Sequence, residues 1–98
     1  MIMRLPDKKQ CRKASVTLKA LAHPQRLFIL CCLHQKESTV SDLEELTGAS
    51  QPVISQHLTR MRLENIVESR RDGNYVFYRI ADQHVSGLIE TLEKLYGL

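Results

Sequence analysis

Apolar residues recur at three- and four-residue steps along most of the chain, a spacing that predicts amphipathic helices. A first helix is predicted over residues 8–21. Its narrow apolar stripe consists of Cys11, Ser15, Leu18 and Ala22. A second helix is predicted to begin at Pro24, because the first turn of a helix needs no backbone N–H donor. Its wide apolar face consists of Leu27, Leu30, Cys31 and either Leu33 or His34.

Two shorter helices are predicted next, with only a tight turn between them. We expect Thr39 to cap the first of them, with Asp42 three residues later, and Gly48 to end it. We expect Ser50 to cap the second, which accommodates Pro52 in its first turn. The apolar stripes are Val40, Leu43 and Leu46 in the first helix and Ile54, Leu58 and Met61 in the second. Two helices joined by a tight, glycine-containing turn predict a helix-turn-helix.

The segment "NIVESRRDGNYVFYRI" alternates apolar and polar residues and is rich in β-branched and aromatic side chains. Its interruption at Asp72-Gly73-Asn74 predicts a β-hairpin, which after a helix-turn-helix is a wing. Asp82 is expected to cap a last helix. The broad apolar stripe of that helix consists of Val85, Leu88, Ile89, Leu92, Leu95 and Tyr96. We therefore expect a mainly α winged helix-turn-helix that dimerises through its first and last helices.

Composition agrees with one small folded domain over residues 1–98, because 43% of the residues are hydrophobic and 26% are charged. No apolar run approaches the roughly 20 residues that span a bilayer, and the start of the chain lacks the apolar core of a signal peptide. We therefore expect a cytoplasmic protein without a membrane partner. Three cysteines, of which two are adjacent, do not form a disulfide framework, so free thiols are expected.

The net charge of +3 is concentrated near the amino terminus. The basic residues of the first quarter are Arg4, Lys8, Lys9, Arg12, Lys13, Lys19 and Arg26, and they accompany a single acid, Asp7. A basic region of this kind suits a polyanionic partner. On charge alone, a solvated helix surface explains it equally well.

The second helix of the predicted helix-turn-helix carries a row of polar side chains, with no acidic residue between positions 50 and 62. The candidate base-reading residues are Gln51, Ser55, Gln56, Thr59 and Arg60. A glutamine amide can bond an adenine edge in two places, a hydroxyl can donate or accept, and an arginine can reach guanine or a phosphate. Because the major groove admits one helix, the row predicts sequence-specific binding to double-stranded DNA. An ordinary soluble helix surface is the alternative.

The predicted wing supplies further candidate DNA contacts at its base and tip. These residues are Arg70, Arg71, Asn74 and Tyr75. Contacts there, along the backbone or the minor groove, give affinity and salt dependence more than sequence choice. An ordinary charged hairpin is the alternative. His57 falls at the edge of its helix's buried stripe, so we expect it to pack or to position the helix rather than to read a base.

Three stretches, "LKALAHPQRLFILCCL", "VSDLEELTGASQPVISQHLTRMR" and "ESRRDGNYVFYRIAD", together resemble the ArsR/SmtB family of bacterial winged-helix regulators and cover most of residues 18–82. The resemblance implies a homodimeric transcription repressor that binds an inverted-repeat operator and leaves it when an inducer arrives. The inducers of the family are metal ions, arsenicals, oxidants and reactive sulfur species. They are sensed by cysteine, histidine and carboxylate side chains.

The metal ligands of the family are largely missing from this sequence. The stretch "TVSDLEEL" lacks the CxC pair of one family site. Asp82 and His84 resemble the first half of another site, but the second half falls near Leu95 and Leu98. Half a tetrahedral shell does not hold zinc tightly, so no metal or other cofactor is expected and a helix cap is the preferred role of Asp82.

The stretch "RLFILC" resembles the redox- and sulfide-sensing branch of the family, which implies Cys31 as the sensing thiol. The partner cysteine of that branch follows "LY" near the chain end, where this sequence has Gly97. Cys31 then reacts alone, pairs with Cys11 or Cys32, or senses nothing in a constitutive repressor. Adjacent helical residues point about 100° apart, which favours Cys11 over Cys32 as the partner. Simple apolar filling by all three cysteines is a further alternative.

Two other classes of function compete with DNA binding. The sequence contains no Ser/His/Asp arrangement, glycine-rich phosphate loop or HExxH motif, so an enzyme is not expected. A winged-helix module for protein contact is the stronger rival. The low acid content of the candidate base-reading residues, the flanking arginines and the basic first helix favour DNA.

Overall fold

The computed structural model describes residues 3–98, in which five helices and a two-stranded antiparallel hairpin follow the predicted order. The elements are α1 (Lys8–Leu21), α2 (Pro24–Gln35), α3 (Val40–Thr47), α4 (Gln51–Leu63), β1 (Val67–Asp72), β2 (Tyr75–Ile80) and α5 (Gln83–Tyr96). This arrangement is a winged helix-turn-helix, in which α3 and α4 form the helix-turn-helix and the β1–β2 hairpin is the wing. The predicted fold class is confirmed.

Helix α3 begins and ends at the residues that the sequence predicts. Thr39 and Asp42 form a reciprocal capping box, in which each side chain accepts the other residue's backbone N–H at 3.1 and 3.0 Å. Gly48 ends α3 in the left-handed region, with φ 74°, where a residue without Cβ meets no steric penalty. Ser50 occupies the N-cap position of α4, as predicted, but its side chain accepts no capping hydrogen bond.

The wing is tied to the helices by a contact that the sequence pattern did not indicate. Its strands pair from Val67 opposite Ile80 to Asp72 opposite Tyr75, and the turn contains Gly73 at φ 63°. Ser38, just before α3, forms an isolated bridge with Tyr78 through hydrogen bonds of 3.1 and 2.8 Å. Two backbone hydrogen bonds therefore fix the wing against the start of the helix-turn-helix.

The core lies where α2, α3, α4 and α5 meet the base of the wing. Ile54, Leu58 and Met61 of α4 are completely buried, which confirms the predicted stripe of that helix. The other buried apolar residues are Ala20, Leu21, Ile29, Leu30, Leu33, Leu43, Ile66, Val67, Val85 and Ile89. This single cluster unites all five helices and the first strand.

The stripe predicted for α1 does not pack within the chain. Leu18 is 54% exposed and Cys11 and Ala22 are also exposed, whereas Ala20 and Leu21 are buried instead. The reason is geometric: α1 meets α2 at 95°, so only its last turn reaches the core. Two further residues on predicted apolar stripes are also exposed within the chain: Leu46 of α3 is 57% exposed and Leu95 of α5 is 70% exposed.

An open groove of about 530 Å³ separates α1 from the first half of α5. It is lined by Gln10, Lys13, Ala14, Thr17, Leu18, Asp82, Gln83, His84, Gly87, Leu88 and Thr91. The radius of gyration is 15.2 Å, compared with about 13 Å for a compact domain of 100 residues.

Within residues 3–98 no single helix is long and apolar enough to cross a membrane. Helices α1 and α2 reach that length and composition only when they are taken together across their 95° bend.

The buried stripe of α4 generates a stability prediction. Leu58→Ala removes a completely buried side chain and leaves a cavity, so we expect the free energy of unfolding to fall by about 2–5 kcal/mol. Leu63→Ala is the matched control, because the same side chain on the same helix is 77% exposed there and should change stability by less than about 0.5 kcal/mol. Urea denaturation at one protein concentration measures both. Equal losses in the two variants would contradict the assigned orientation of α4.

Candidate nucleic-acid interface

The outer face of α4 is set by the buried stripe on its opposite side. Gln56 is two residues from both Ile54 and Leu58, about 200° around the helix axis, and it is exposed. Thr59 and Arg60 are exposed on the same side. A polar outer face therefore stands away from the core, as the sequence predicts.

Four of the five candidate base-reading residues lie together. A shallow depression is lined by Ser55, Gln56, Thr59, Arg60 and Leu63. Ser55 is half-buried, and Gln51 is exposed in the first turn of α4 but does not line the depression. The depression therefore presents an amide, two hydroxyls and a guanidinium within a few turns of one helix, a combination of donors and acceptors that suits base edges.

Leu63 belongs to the outer face and was missed by the sequence analysis. It is 77% exposed and lies seven residues after Gln56, which returns it to the same side of the helix after about two turns. The spacing alone contained this signal. Methyl groups at such a position can contact the C5-methyl group of thymine. A carboxylate also approaches the face, because Glu64 lies 3.7 Å from the Nε of Arg60.

His57 connects α4 to the beginning of α2. Its Nε2 lies 3.1 Å from Oε1 of Gln25, and its ring lies 4.9 Å from the ring of His23. Burial, followed by the neighbouring His23 and Arg26, lowers the pKa of His57 and favours the neutral imidazole. The predicted packing role of His57 agrees with this geometry.

The candidate DNA contacts on the wing fall into two groups, exposed residues and one that is bonded within the protein. Arg71, Asn74 and Tyr75 are exposed near its tip, free of side-chain hydrogen bonds within the described residues. Arg70 is instead engaged within the protein. Its Nη2 donates to Glu37 at 2.9 Å, and its guanidinium lies 4.7 Å from the centre of the Phe77 ring.

The Arg70–Glu37 pair links the wing to the segment before α3. Both Nε and Nη2 of Arg70 donate to the carboxylate, a two-point geometry that lowers the pKa of Glu37 and raises the pKa of Arg70. The sequence pattern predicts Arg70 as a DNA contact and contains no signal of this partner, which lies 33 positions away. We therefore assign Arg70 first to holding the wing, and Arg71 to the exposed surface.

The three cysteines are free thiols in different surroundings. Cys11 is exposed on α1, whereas Cys31 and Cys32 are half-buried on α2. Burial raises the pKa of both Cys31 and Cys32, and Glu93 on α5 raises the pKa of Cys31 further. Both thiols are therefore held in the protonated form, which is the less reactive one.

Asp82 is the cap of α5, as predicted. Its Oδ1 accepts the backbone N–H of His84 at 2.8 Å and lies 3.1 Å from Nδ1 of the same histidine. In residues 3–98, no group of three or more histidine, cysteine and acidic side chains converges closely enough to hold a metal ion.

Comparison with known proteins agrees with this architecture. The sequence profile described as "Bacterial regulatory protein, arsR family" matches residues 23–69. The transcriptional regulator YgaV of Escherichia coli is 41% identical over 85 residues, which span 86% of each chain. The structure of HlyU from Vibrio cholerae superposes with a TM-score of 0.88 at 38% identity and covers 94% of this chain and 100% of HlyU.

A third relative is known from solution NMR. The fragment of Mb0332 from Mycobacterium bovis is described as a homodimeric winged helix-turn-helix DNA-binding domain. It is 31% identical, has a TM-score of 0.77, and the match covers 98% of this chain and 91% of that one. The family profile and these relatives are regulators of transcription, not enzymes. The chain described here therefore belongs to the ArsR family of bacterial transcription regulators.

Proposed function

We propose that this protein is a homodimeric repressor that binds an inverted-repeat operator, reads bases through the outer face of α4, and is released by modification of Cys31. The observation that carries the proposal is the outer face itself. It is polar, exposed and held away from the core by a completely buried stripe. The protein acts as one domain over residues 1–98 in the cytoplasm, where operator DNA is found, and it needs no metal cofactor.

Base reading is assigned to the row along α4. The amides of Gln51 and Gln56 suit adenine, the hydroxyls of Ser55 and Thr59 serve as adaptable partners, and Arg60 reaches guanine or a phosphate. The wing adds backbone or minor-groove contacts through Arg71, Asn74 and Tyr75. Arg70 contributes to the same surface by fixing the wing, and its remaining exposure leaves it available to a phosphate.

A dimer is proposed because one helix-turn-helix reads a short half-site, and a two-fold assembly doubles it. The apolar residues left uncovered on α1 and α5 supply the surface. They are Val16, Leu18, Leu95 and Tyr96, each more than half exposed. The homodimeric description of the Mb0332 relative supports the same assembly.

Release through Cys31 is proposed from its position between two helices. Cys31 packs against the core from α2 and lies close enough to Glu93 of α5 for the carboxylate to raise its pKa. An oxidised or persulfidated sulfur there would add bulk and charge beside that carboxylate and push α5 away from α2. Since α5 is part of the proposed dimer surface, the spacing of the two copies of α4 would change. Pairing with the exposed Cys11 is a second route.

The raised pKa of Cys31 also supports a second candidate function, constitutive repression. A thiol that stays protonated reacts slowly, because the thiolate is the nucleophile. In that case the protein would bind its operator constitutively and respond to no inducer.

Base reading by Gln56 can be separated from backbone binding. Gln56→Ala should weaken binding to a duplex selected from a random-sequence library by about 1–3 kcal/mol and relax specificity at one base pair, with little effect on unselected DNA. The matched control Arg71→Ala should weaken both duplexes alike and reduce the slope of log affinity against log salt by about 1. Fluorescence anisotropy across a salt series measures both.

Two results would contradict this assignment. Equal losses on selected and unselected DNA for Gln56→Ala would remove it from base reading. Binding that is absent, or insensitive to salt, for the unmodified protein would favour a protein-contact module.

The proposed dimer surface predicts a contrast between two equally exposed leucines. Leu18→Glu places a carboxylate in each half of an apolar interface, so we expect dimer affinity to fall on the order of a hundredfold and operator binding to fall with it. Leu46→Glu on α3 is the control, since Leu46 is 57% exposed compared with 54% for Leu18. Sedimentation equilibrium measures the dissociation constants. A Leu18→Glu protein that remains dimeric would exclude α1 from the interface.

Cys31→Ser tests the proposed sensor. A persulfide donor or a peroxide should release the unmodified protein and Cys32→Ser from the selected duplex, but should leave Cys31→Ser bound. Because burial and Glu93 raise the pKa of Cys31, the rate of release should increase as pH rises through neutrality toward that pKa. Gel shifts in reductant, with the donor and with added zinc measure DNA binding by each variant. Release of Cys31→Ser by the donor would rule out Cys31, and the variant Cys11→Ser would then test the exposed thiol.

A further inference from the structure

Three residues join the beginning of α2 to the recognition helix α4. Gln25 is at the centre: its backbone N–H donates to Nδ1 of His23 at 3.2 Å, and its side-chain Oε1 lies 3.1 Å from Nε2 of His57. The two imidazole rings lie 4.9 Å apart and are tilted by 57°. We call His23, Gln25 and His57 the histidine cluster.

The cap by His23 requires an unprotonated Nδ1, whereas the His57–Gln25 hydrogen bond requires only a proton on Nε2 of His57. His23 caps α2 through Nδ1, which accepts only while that nitrogen carries no proton. The amide oxygen of Gln25 can only accept, so Nε2 of His57 is the donor. Protonation of His23 at Nδ1 removes the cap, and protonation of both rings places two positive charges in contact.

The charges around His57 all oppose its protonation. From α2 and its N-cap, Arg26 and His23 act on the ring, and both lower the pKa of His57, after burial. Among the described residues, no carboxylate contributes to the shift. The nearest charged side chain along α4, Arg60, is itself beside Glu64. An imidazolium at position 57 therefore has no anionic partner to stabilise it.

We propose that the histidine cluster positions the recognition helix and makes DNA binding sensitive to acid, because two protonated imidazole rings with centres 4.9 Å apart repel each other across the contact between α4 and the beginning of α2. Gln25 and His57 act as positioning residues, since neither is assigned to a base or a phosphate. The inference rests on the proposed DNA-binding function of α4 and adds a condition under which that function is lost.

The sign of the effect follows from linkage. A histidine with a lowered pKa in the folded protein binds fewer protons than the unfolded chain just below 6.5, its ordinary value. Its contribution to the packing of α4 is therefore complete above that value and is lost as the pH falls through the lowered pKa. Simple charge predicts the opposite trend for binding, because histidines that gain a proton strengthen attraction to phosphates.

The experiment compares pH profiles of affinity for the selected duplex between about pH 7.5 and about pH 5.5, at constant ionic strength. His57→Gln keeps a neutral donor toward Gln25 at every pH. His84→Gln is the matched control, because His84 is exposed at the start of α5 and lines the groove beside α1. Circular dichroism at each pH confirms that every variant remains folded, so that only positioning is compared.

We expect acid to lower the duplex affinity of the unmodified protein and of His84→Gln by about two- to tenfold relative to that of His57→Gln. Gln25→Glu provides an independent test, because a carboxylate there would accept from His57 and stabilise its imidazolium. That variant should lose or reverse the acid effect.

Parallel pH profiles for the unmodified protein and His57→Gln would overturn the inference, as would a steeper acid loss in Gln25→Glu. The proposed function fails separately. If no duplex is selected at pH 7.5 by the unmodified protein, DNA binding itself is wrong, whereas normal selection at that pH with a flat profile refutes only the histidine cluster.

Discussion

The complete burial of Ile54, Leu58 and Met61 is the constraint on which the rest of the structure depends. A helix of 13 residues has one rotation about its axis that hides these three side chains, and that rotation determines what faces outward. Gln56, about 200° from the stripe, then has to be exposed. The same apolar packing that stabilises the domain thus aims its proposed DNA-binding surface, without a separate device for orientation.

The neighbours of α4 restrict the remaining freedom of that surface. The Ser38–Tyr78 hydrogen bonds and the Arg70–Glu37 ion pair connect the wing to the segment before α3. At the other end, Gln25 bridges α4 to α2 through His57. The wing is therefore held against the segment before α3, and α4 is held against the beginning of α2. A rigid relation between them is what two simultaneous contacts with one duplex require.

The termini of the chain have the opposite character. Helix α1 lies at 95° to α2 and carries Val16 and Leu18 exposed, and α5 ends with Leu95 and Tyr96 exposed. A domain of 98 residues has a large surface for its volume, so uncovered apolar side chains on this scale are typical of surfaces that bind another chain. The proposed regulation through Cys31 would act where the core meets the dimer surface, because Cys31 lies on α2 beside α5.

The sequence by itself determined the elements, their order and the orientation of α4, because local patterns carry this information: caps such as Thr39 and Asp42, the turn at Gly73, and the spacing of Ile54, Leu58 and Met61. It also contained the outward position of Leu63, which the spacing from Gln56 gives. Only the tertiary structure decided which apolar side chains are covered: Leu46, on the apolar stripe predicted for its helix, is exposed, and so is Leu18, on the stripe assigned to the dimer surface. Likewise, the partners of Arg70 and His57 lie 33 and 32 positions away along the chain. Ion pairs and hydrogen bonds between residues so far apart depend on how helices cross, and no periodicity in the sequence records a crossing angle.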